Sequence, residues 1–288
     1  MKYKRVLGLL VFFIVVLSIV ATLAGIFSDQ GPGTYQFISI HGEEVLIYGS
    51  GVYRYMSALA APDGIAQDVV TLILAIPLLI ISFFWARKNS LKGRLLFVGV
   101  LFYFLFTYLL YMVLIMYNEL FLVYVLLTSL SFYAFVLTMI SFDLDELTVS
   151  FKEELPVKFV GGFLIFISIV VGLYWLARII PTLLDGSIIP QGIKHYTTLP
   201  VQGLDLAFML PTAFLSGVLL IKRRPFGYLL APVFLNFLII MMTGISAKVF
   251  GQFLQGIAGV FPVMMVFLLF ALTASFSSII IMKNIKKN

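Results

Sequence analysis

The sequence contains no cysteine, only two histidines and two tryptophans, and little charge: 11% of its 288 residues are Asp, Glu, Lys or Arg. A soluble domain carries about 25%. Without cysteine there are no disulfides, no thiol redox chemistry, no iron–sulfur cluster and no cysteine-held zinc. His41 and His195 both fall between hydrophobic runs, which argues against a bis-histidine haem within the membrane. No Walker loop, HExxH or nucleophile-elbow G-x-S-x-G is present. No hydrophobic run carries a row of acids or arginines of the kind that lines an ion path or a voltage sensor. The residues call for no metal and no cofactor.

What is there is apolar. Hydrophobic residues make up 62% of the chain, and the mean hydropathy is +1.12. Eight runs are long enough to cross a bilayer, which takes about 20 apolar residues as a helix. They are Val6–Phe27, Asp68–Ala86, Leu95–Met116, Leu120–Ser141, Phe159–Ile180, Gly203–Ile221, Phe226–Val249 and Gly256–Met282. The expected fold is an all-α bundle of eight transmembrane helices with the lipid bilayer as its main partner. "YNEL" reads as a tight turn between the third and fourth runs. The first run follows "MKYKR", but its length and the lack of an A-x-A site make it a span rather than a cleaved signal peptide.

Orientation follows from the basic residues. With the N-terminus inside, 15 of the 19 Lys and Arg fall on inner segments, and Arg54, Arg178, Lys194 and Lys248 are left outside. Eight of the 13 acids fall outside. Both termini are therefore expected in the cytoplasm and the chain in the cytoplasmic membrane. The net charge of +6 needs no nucleic acid to explain it.

Two short stretches echo each other: "GVYRYMS" (Gly51–Ser57) and "GIKHYTT" (Gly192–Thr198). At a shift of 141, Arg54 falls on His195, Tyr55 on Tyr196 and Ser57 on Thr198. At a shift of 134, Pro77 falls on Pro211, Lys88 on Lys222 and Gly93 on Gly227. At 153, "RVLGLLVFFI" lies on "KFVGGFLIFI". The expected organisation is a tandem duplication: residues 1–141, with an outer loop at 28–67; a cytoplasmic linker at 142–158; and residues 159–288. Four helices per copy give both copies one orientation, about a pseudo-twofold axis along the membrane normal. Thr34–Gly49 holds two β-rich runs around His41-Gly42-Glu43, expected as a hairpin over the outer mouth of the first unit.

Ionisable residues at membrane depth are the candidates for function. Asp68 and Asp205 lie near the starts of the second and sixth runs, nine and six residues before the matched prolines. Capping or dipole stabilisation of a helix N-terminus would account for either one. Arg178 and Lys248 either snorkel to the interface or face Asp205 or Asp68 across an outward-facing cavity. Arg54 and His195 would sit above it with Tyr53, Tyr55 and Tyr196, though tyrosine also belongs to interfacial belts. Asn236 is expected to bond a neighbouring helix. Pro77, Pro211, Pro232 and Pro262 should kink their spans.

The stretches "HGEEVLIYGSGVYRYMS", "AQDVVTLILAIPLLIISFFWARKNSLKGRLL", "YNELFLVYVLLTSLSFYAFVL" and "LDLAFMLPTAFLSGVLLIKRRPFGYLLAPV" resemble a family of uncharacterised bacterial and archaeal polytopic membrane proteins. The resemblance covers most of the chain. It implies an eight-helix integral membrane protein and transfers no active residue. It also implies an Asp after Tyr-Arg-Tyr, where this chain has Met56.

Three functions fit these residues. The leading one binds or transports a small solute or lipid at an outward-facing polar site and is not an enzyme. The second is an enzyme on a lipid-linked substrate, with Asp68 or Asp205 as base and Arg54, His195 or Arg178 holding an anion. The third is a non-catalytic subunit or sensor that uses the hairpin as its contact surface.

Overall fold

The computed structural model describes residues 2–187, 189–190, 192–254 and 256–286. Lys287, one of the inner basic residues, lies outside the described residues. Eight of the helices are long and apolar enough to span a membrane: α1 (Lys4–Phe27), α2 (Ala61–Arg87), α3 (Leu91–Leu114), α4 (Phe121–Met139), α6 (Val157–Leu184), α7 (Pro200–Ile221), α8 (Pro225–Leu254) and α9 (Val260–Lys283). A short helix, α5 (Leu144–Val149), lies between α4 and α6. The protein is thus a polytopic helical bundle.

Burial identifies the centre. In their most apolar stretches α3 is 67% and α8 72% buried, against 22% for α6. α8 packs on α2, α3, α7 and α9, and α3 packs on α2, α4 and α8. The other helices surround this pair and turn leucine, isoleucine and phenylalanine outward. Asn236 of α8 joins the central helices as expected: its amide donates to the Leu95 carbonyl (3.3 Å) and its oxygen accepts from Ser278 Oγ of α9 (2.8 Å).

Helix boundaries moved where polar residues open a span. α2 starts at Ala61, not Asp68, because Pro62 suits a first turn and Asp63, Gly64 and Gln67 lower its hydropathy without breaking it. α6 runs past Ile180 to Leu184.

The prolines act in two ways. Before Pro77 and Pro211 the helix widens into a π turn, over Thr71–Ala75 and Asp205–Met209. There the Ile76 and Leu210 N–H groups reach carbonyls five residues back, on Thr71 and Asp205. The two π turns stand 134 residues apart, the same spacing as the prolines. Pro262 falls in the first turn of α9, where no ladder bond is lost and no kink is required.

The hairpin forms as expected from the sequence. β1 (Tyr35–Ile38) pairs antiparallel with β2 (Glu44–Ile47), Tyr35 opposite Ile47 and Ile38 opposite Glu44. Residues 54–58 border β2 through Tyr48 N–H to Met56 O and Ala58 N–H to Leu46 O. At the opposite end of the bundle Asp143 caps α5, accepting from the Asp145 and Glu146 amides. Phe151 there pairs with Ile285 of the C-terminal segment. These are called the hairpin end and the linker end below.

Candidate functional site

Asp68 lies two turns inside α2, so it neither caps that helix nor meets its first N–H groups. It is 1% exposed. Its Oδ2 accepts from Tyr53 Oη at 2.5 Å and its Oδ1 from Tyr111 Oη at 3.0 Å. Tyr53 ends the 3-10 turn Gly51–Tyr53 in the loop before α2, and Tyr111 lies in the last turns of α3. The Tyr53 phenol has its pKa pushed well up, first by burial and then by the Asp68 carboxylate beside it. It stays protonated and can only serve Asp68 as a donor. Gly25 of α1 closes the remaining side: a Cβ there would overlap the Asp68 carboxylate and stand 3.1 Å from Tyr53 Oη.

One step along α2 a second set of polar groups closes on itself. Gln67 Nε2 donates to Tyr103 Oη (2.7 Å), Tyr103 Oη donates to Thr71 Oγ1 (2.7 Å), and Thr71 Oγ1 donates to the Gln67 carbonyl (2.8 Å). The ring spans the last turn of regular helix and the first residue of the π turn. Tyr108 and Tyr124 pack behind, with Tyr111 edge-on to Tyr124 at 5.4 Å.

Across from α2, Lys248 of α8 lies within electrostatic range of both Asp63 and Asp68. Gln252 Nε2, one turn further on, donates to Asp63 Oδ1 at 3.2 Å. Lys248 closes an ion pair with neither acid; the ion pair present among the described residues is Arg54–Glu119. Lys194 lies nearer the hairpin end and is half-buried. Burial lowers its pKa against the pull of Glu43 and Asp63.

The other candidates fall elsewhere. Arg54 pairs with Glu119 and covers the Tyr55 ring at 5.0 Å, beside a hollow of about 310 Å³ that Gln30, Pro32 and Tyr35 help to line. Tyr55 is exposed, and Tyr53, two residues before it, is the tyrosine that reaches the acid. His195 Nε2 donates to the Tyr55 carbonyl at 2.9 Å, and burial raises the pKa of Tyr196, which faces Ser57. The two echoing stretches therefore touch each other. Arg178 bonds Tyr174 Oη at 3.3 Å. Asp205 accepts from Trp175 Nε1 at 2.9 Å, in a contact between α6 and α7. Asp68 and Lys248 thus lie within electrostatic range of each other without a direct bond, while Asp205 has its own partner on another pair of helices.

Sequence reasoning passed over Tyr103, Tyr108, Tyr111, Gln67 and Asp63. The signal was present: Tyr103, Thr107 and Tyr111 recur every fourth residue and so share one face of α3.

Fold and site together define a multi-pass α-helical membrane protein with a buried acid–tyrosine centre near one end. No family model, curated protein or solved structure matches the chain.

Proposed function

We propose that this protein binds, and carries across the cytoplasmic membrane, a small polar solute admitted from the hairpin end. The observation that carries the reading is Asp68, a carboxylate at membrane depth held by two tyrosines, facing Lys248 and adjoining a π turn. Ionisable groups of opposite sign are costly to keep in a membrane interior, so their presence favours a working role over packing. A broken helix beside an ionisable group is a recurring feature of transporter sites. The Gly25 backbone lies against the carboxylate, so a solute reaches Asp68 only when α1 and α2 part. The conformation described is then the closed one.

Two further parts of the reading concern organisation. The N- and C-termini lie in the cytoplasm, supported by the basic residues of the linker end. The chain is a tandem duplication, supported by π turns at the same 134-residue spacing as their prolines and by the left-handed residues Asn89 and Arg223 at that spacing too.

The test is thermal unfolding of the protein in lipid nanodiscs against amino acids, betaines, carboxylates and sugars. A solute that raises the melting temperature of the wild type, but not of Asp68→Asn or Lys248→Met, supports the reading. An equal response in those variants refutes it. So does a flat response combined with failure of Asp63→Cys to react with a water-borne thiol reagent.

A second reading, a non-catalytic subunit, draws on the hairpin, where Phe37, Ile38 and Ile40 are exposed beyond the spans. Deleting Thr34–Gly49 would then release a stoichiometric partner that co-purifies with the intact chain.

A further inference from the structure

A cleft of about 620 Å³ runs between α3, α4 and α7, apart from the acid–tyrosine centre. Its walls are Leu105, Leu109 and Met112 of α3, Val125 of α4, and Leu204 and Phe208 of α7. Of the 15 lining residues 11 are apolar, and the hydroxyls are those of Thr128, Ser129, Tyr133 and Thr212; Thr128 Oγ1 bonds the Tyr124 carbonyl of its own helix at 2.8 Å. The wall is mostly apolar and lies wholly within spanning helices, where the surrounding solvent is hydrocarbon.

Its length and its closed end narrow the occupant. Along α3 it extends from Phe102 to Met112, ten residues, or about 15 Å at 1.5 Å per residue. That is about half of the roughly 30 Å hydrocarbon core, the depth of one leaflet. At Phe102 the cleft meets an aromatic floor: Phe102 stacks on Phe135 at 5.3 Å and tilts against Phe237 of α8 at 4.9 Å. At Met112 it reaches the hairpin end of α3. A chain entering from that leaflet would be stopped at the bilayer midplane.

We propose that this cleft is a binding site for one acyl chain of a lipid from the hairpin-side leaflet, held between the helices rather than in the exchanging lipid belt. Its wall on α7 includes Leu204, Phe208 and Met209, so the chain lies against the π turn and wedges α7 from α3 and α4.

The test uses the purified full chain, equilibrated with palmitoyl-oleoyl-phosphatidylglycerol vesicles and returned to detergent. Native mass spectrometry then counts the lipids retained. The wild type should keep one lipid per chain. Thr212→Phe, which fills the cleft, should keep none, and Ile169→Phe, on the exposed face of α6, should keep one. A wild type with no retained lipid, or an unchanged count in Thr212→Phe, overturns the proposal. If Thr212→Phe fails to fold, the cysteine-free chain allows a second measurement. Bimane at Ser129→Cys should stay quenched by brominated-chain lipid after dilution has released the quenching at Ile169→Cys. Simultaneous release at both positions overturns it equally.

Discussion

Gly25→Ala tests whether Asp68 is held as tightly as its contacts imply. A methyl at position 25 would overlap the Asp68 carboxylate and approach Tyr53 Oη. Neither neighbour gives way freely, because Tyr53 and Asp68 are both 1% exposed. Overpacking a filled interior costs about 1–3 kcal/mol. Displacing the carboxylate also breaks its bond to Tyr53, and hydrogen bonds to charged groups contribute about 1.5–3 kcal/mol. Alanine returns about 1 kcal/mol through its better helix propensity. The expected loss is therefore about 1.5–5 kcal/mol. Gly162→Ala on α6 is the control: nothing lies within 4 Å of its added methyl, so propensity alone acts and stability should rise slightly. Unfolding in mixed micelles, followed through Trp85 and Trp175, reads both. Repeating Gly25→Ala in an Asp68→Ala background should recover more than half of the loss, since the clash partner is gone. If Gly25→Ala matches Gly162→Ala within about 0.5 kcal/mol, or the loss is unchanged without Asp68, the packing argument fails.

Three further outcomes follow from the same contacts. Tyr53→Phe should lose about 1.5–3 kcal/mol in the same unfolding assay, while Tyr55→Phe, whose ring is exposed, should change stability by under about 0.5 kcal/mol; equal effects would deny Tyr53 its role. The pKa of Glu119 is held below the usual carboxylate range, chiefly by its hydrogen bond from Arg54, so that pair stabilises at neutral pH and fades as pH falls through the lowered pKa. Its worth is under about 1 kcal/mol because both side chains are partly solvated. The melting-temperature difference between wild type and Arg54→Gln should shrink in acid and at molar salt, and a difference that grows in acid contradicts it. Lys92→Cys and Lys222→Cys should label from one side of the membrane and Glu43→Cys from the other; labelling of Lys92→Cys and Lys222→Cys from opposite sides would break the threading.

The eight spans were legible because hydropathy is an additive property of a run of residues, and lipid leaves backbone polar groups no alternative to a helix. The hairpin was legible for a similar local reason: alternating β-branched residues around His41-Gly42-Glu43. The start of α2 was not. Asp63, Gly64 and Gln67 lower the average over a stretch that forms helix because α8 packs against it, and no local window registers that neighbour. The choice of Tyr53 over Tyr55 was hidden for a different reason. Two tyrosines two residues apart in a loop point differently, and which one turns inward depends on the 3-10 turn at Gly51–Tyr53.

The centre's composition bears on the proposed duplication. At the 134-residue spacing, Asp68 corresponds to Gln202, Tyr103 to Phe237, Tyr108 to Met242 and Tyr111 to Ile245. Each of the three α3 tyrosines that hold or surround the acid is replaced by an apolar side chain in the other half, while Tyr53 falls on Ser187. Thr71, at the head of one π turn, corresponds to Asp205, at the head of the other. If the halves are copies, they kept the broken helix and separated the chemistry built around it. A bilayer explains why such a replacement would be concerted: a carboxylate left without its tyrosine donors is an uncompensated charge in hydrocarbon, so acid and hydroxyls persist or disappear together. Asp205 has one indole donor and a half-buried setting in place of two phenols and full burial. Loss of its charge should therefore disturb the protein less than loss of the charge at Asp68. Asp205→Asn should unfold close to wild type under conditions where Asp68→Asn does not, and the reverse order would place the working acid in the second half.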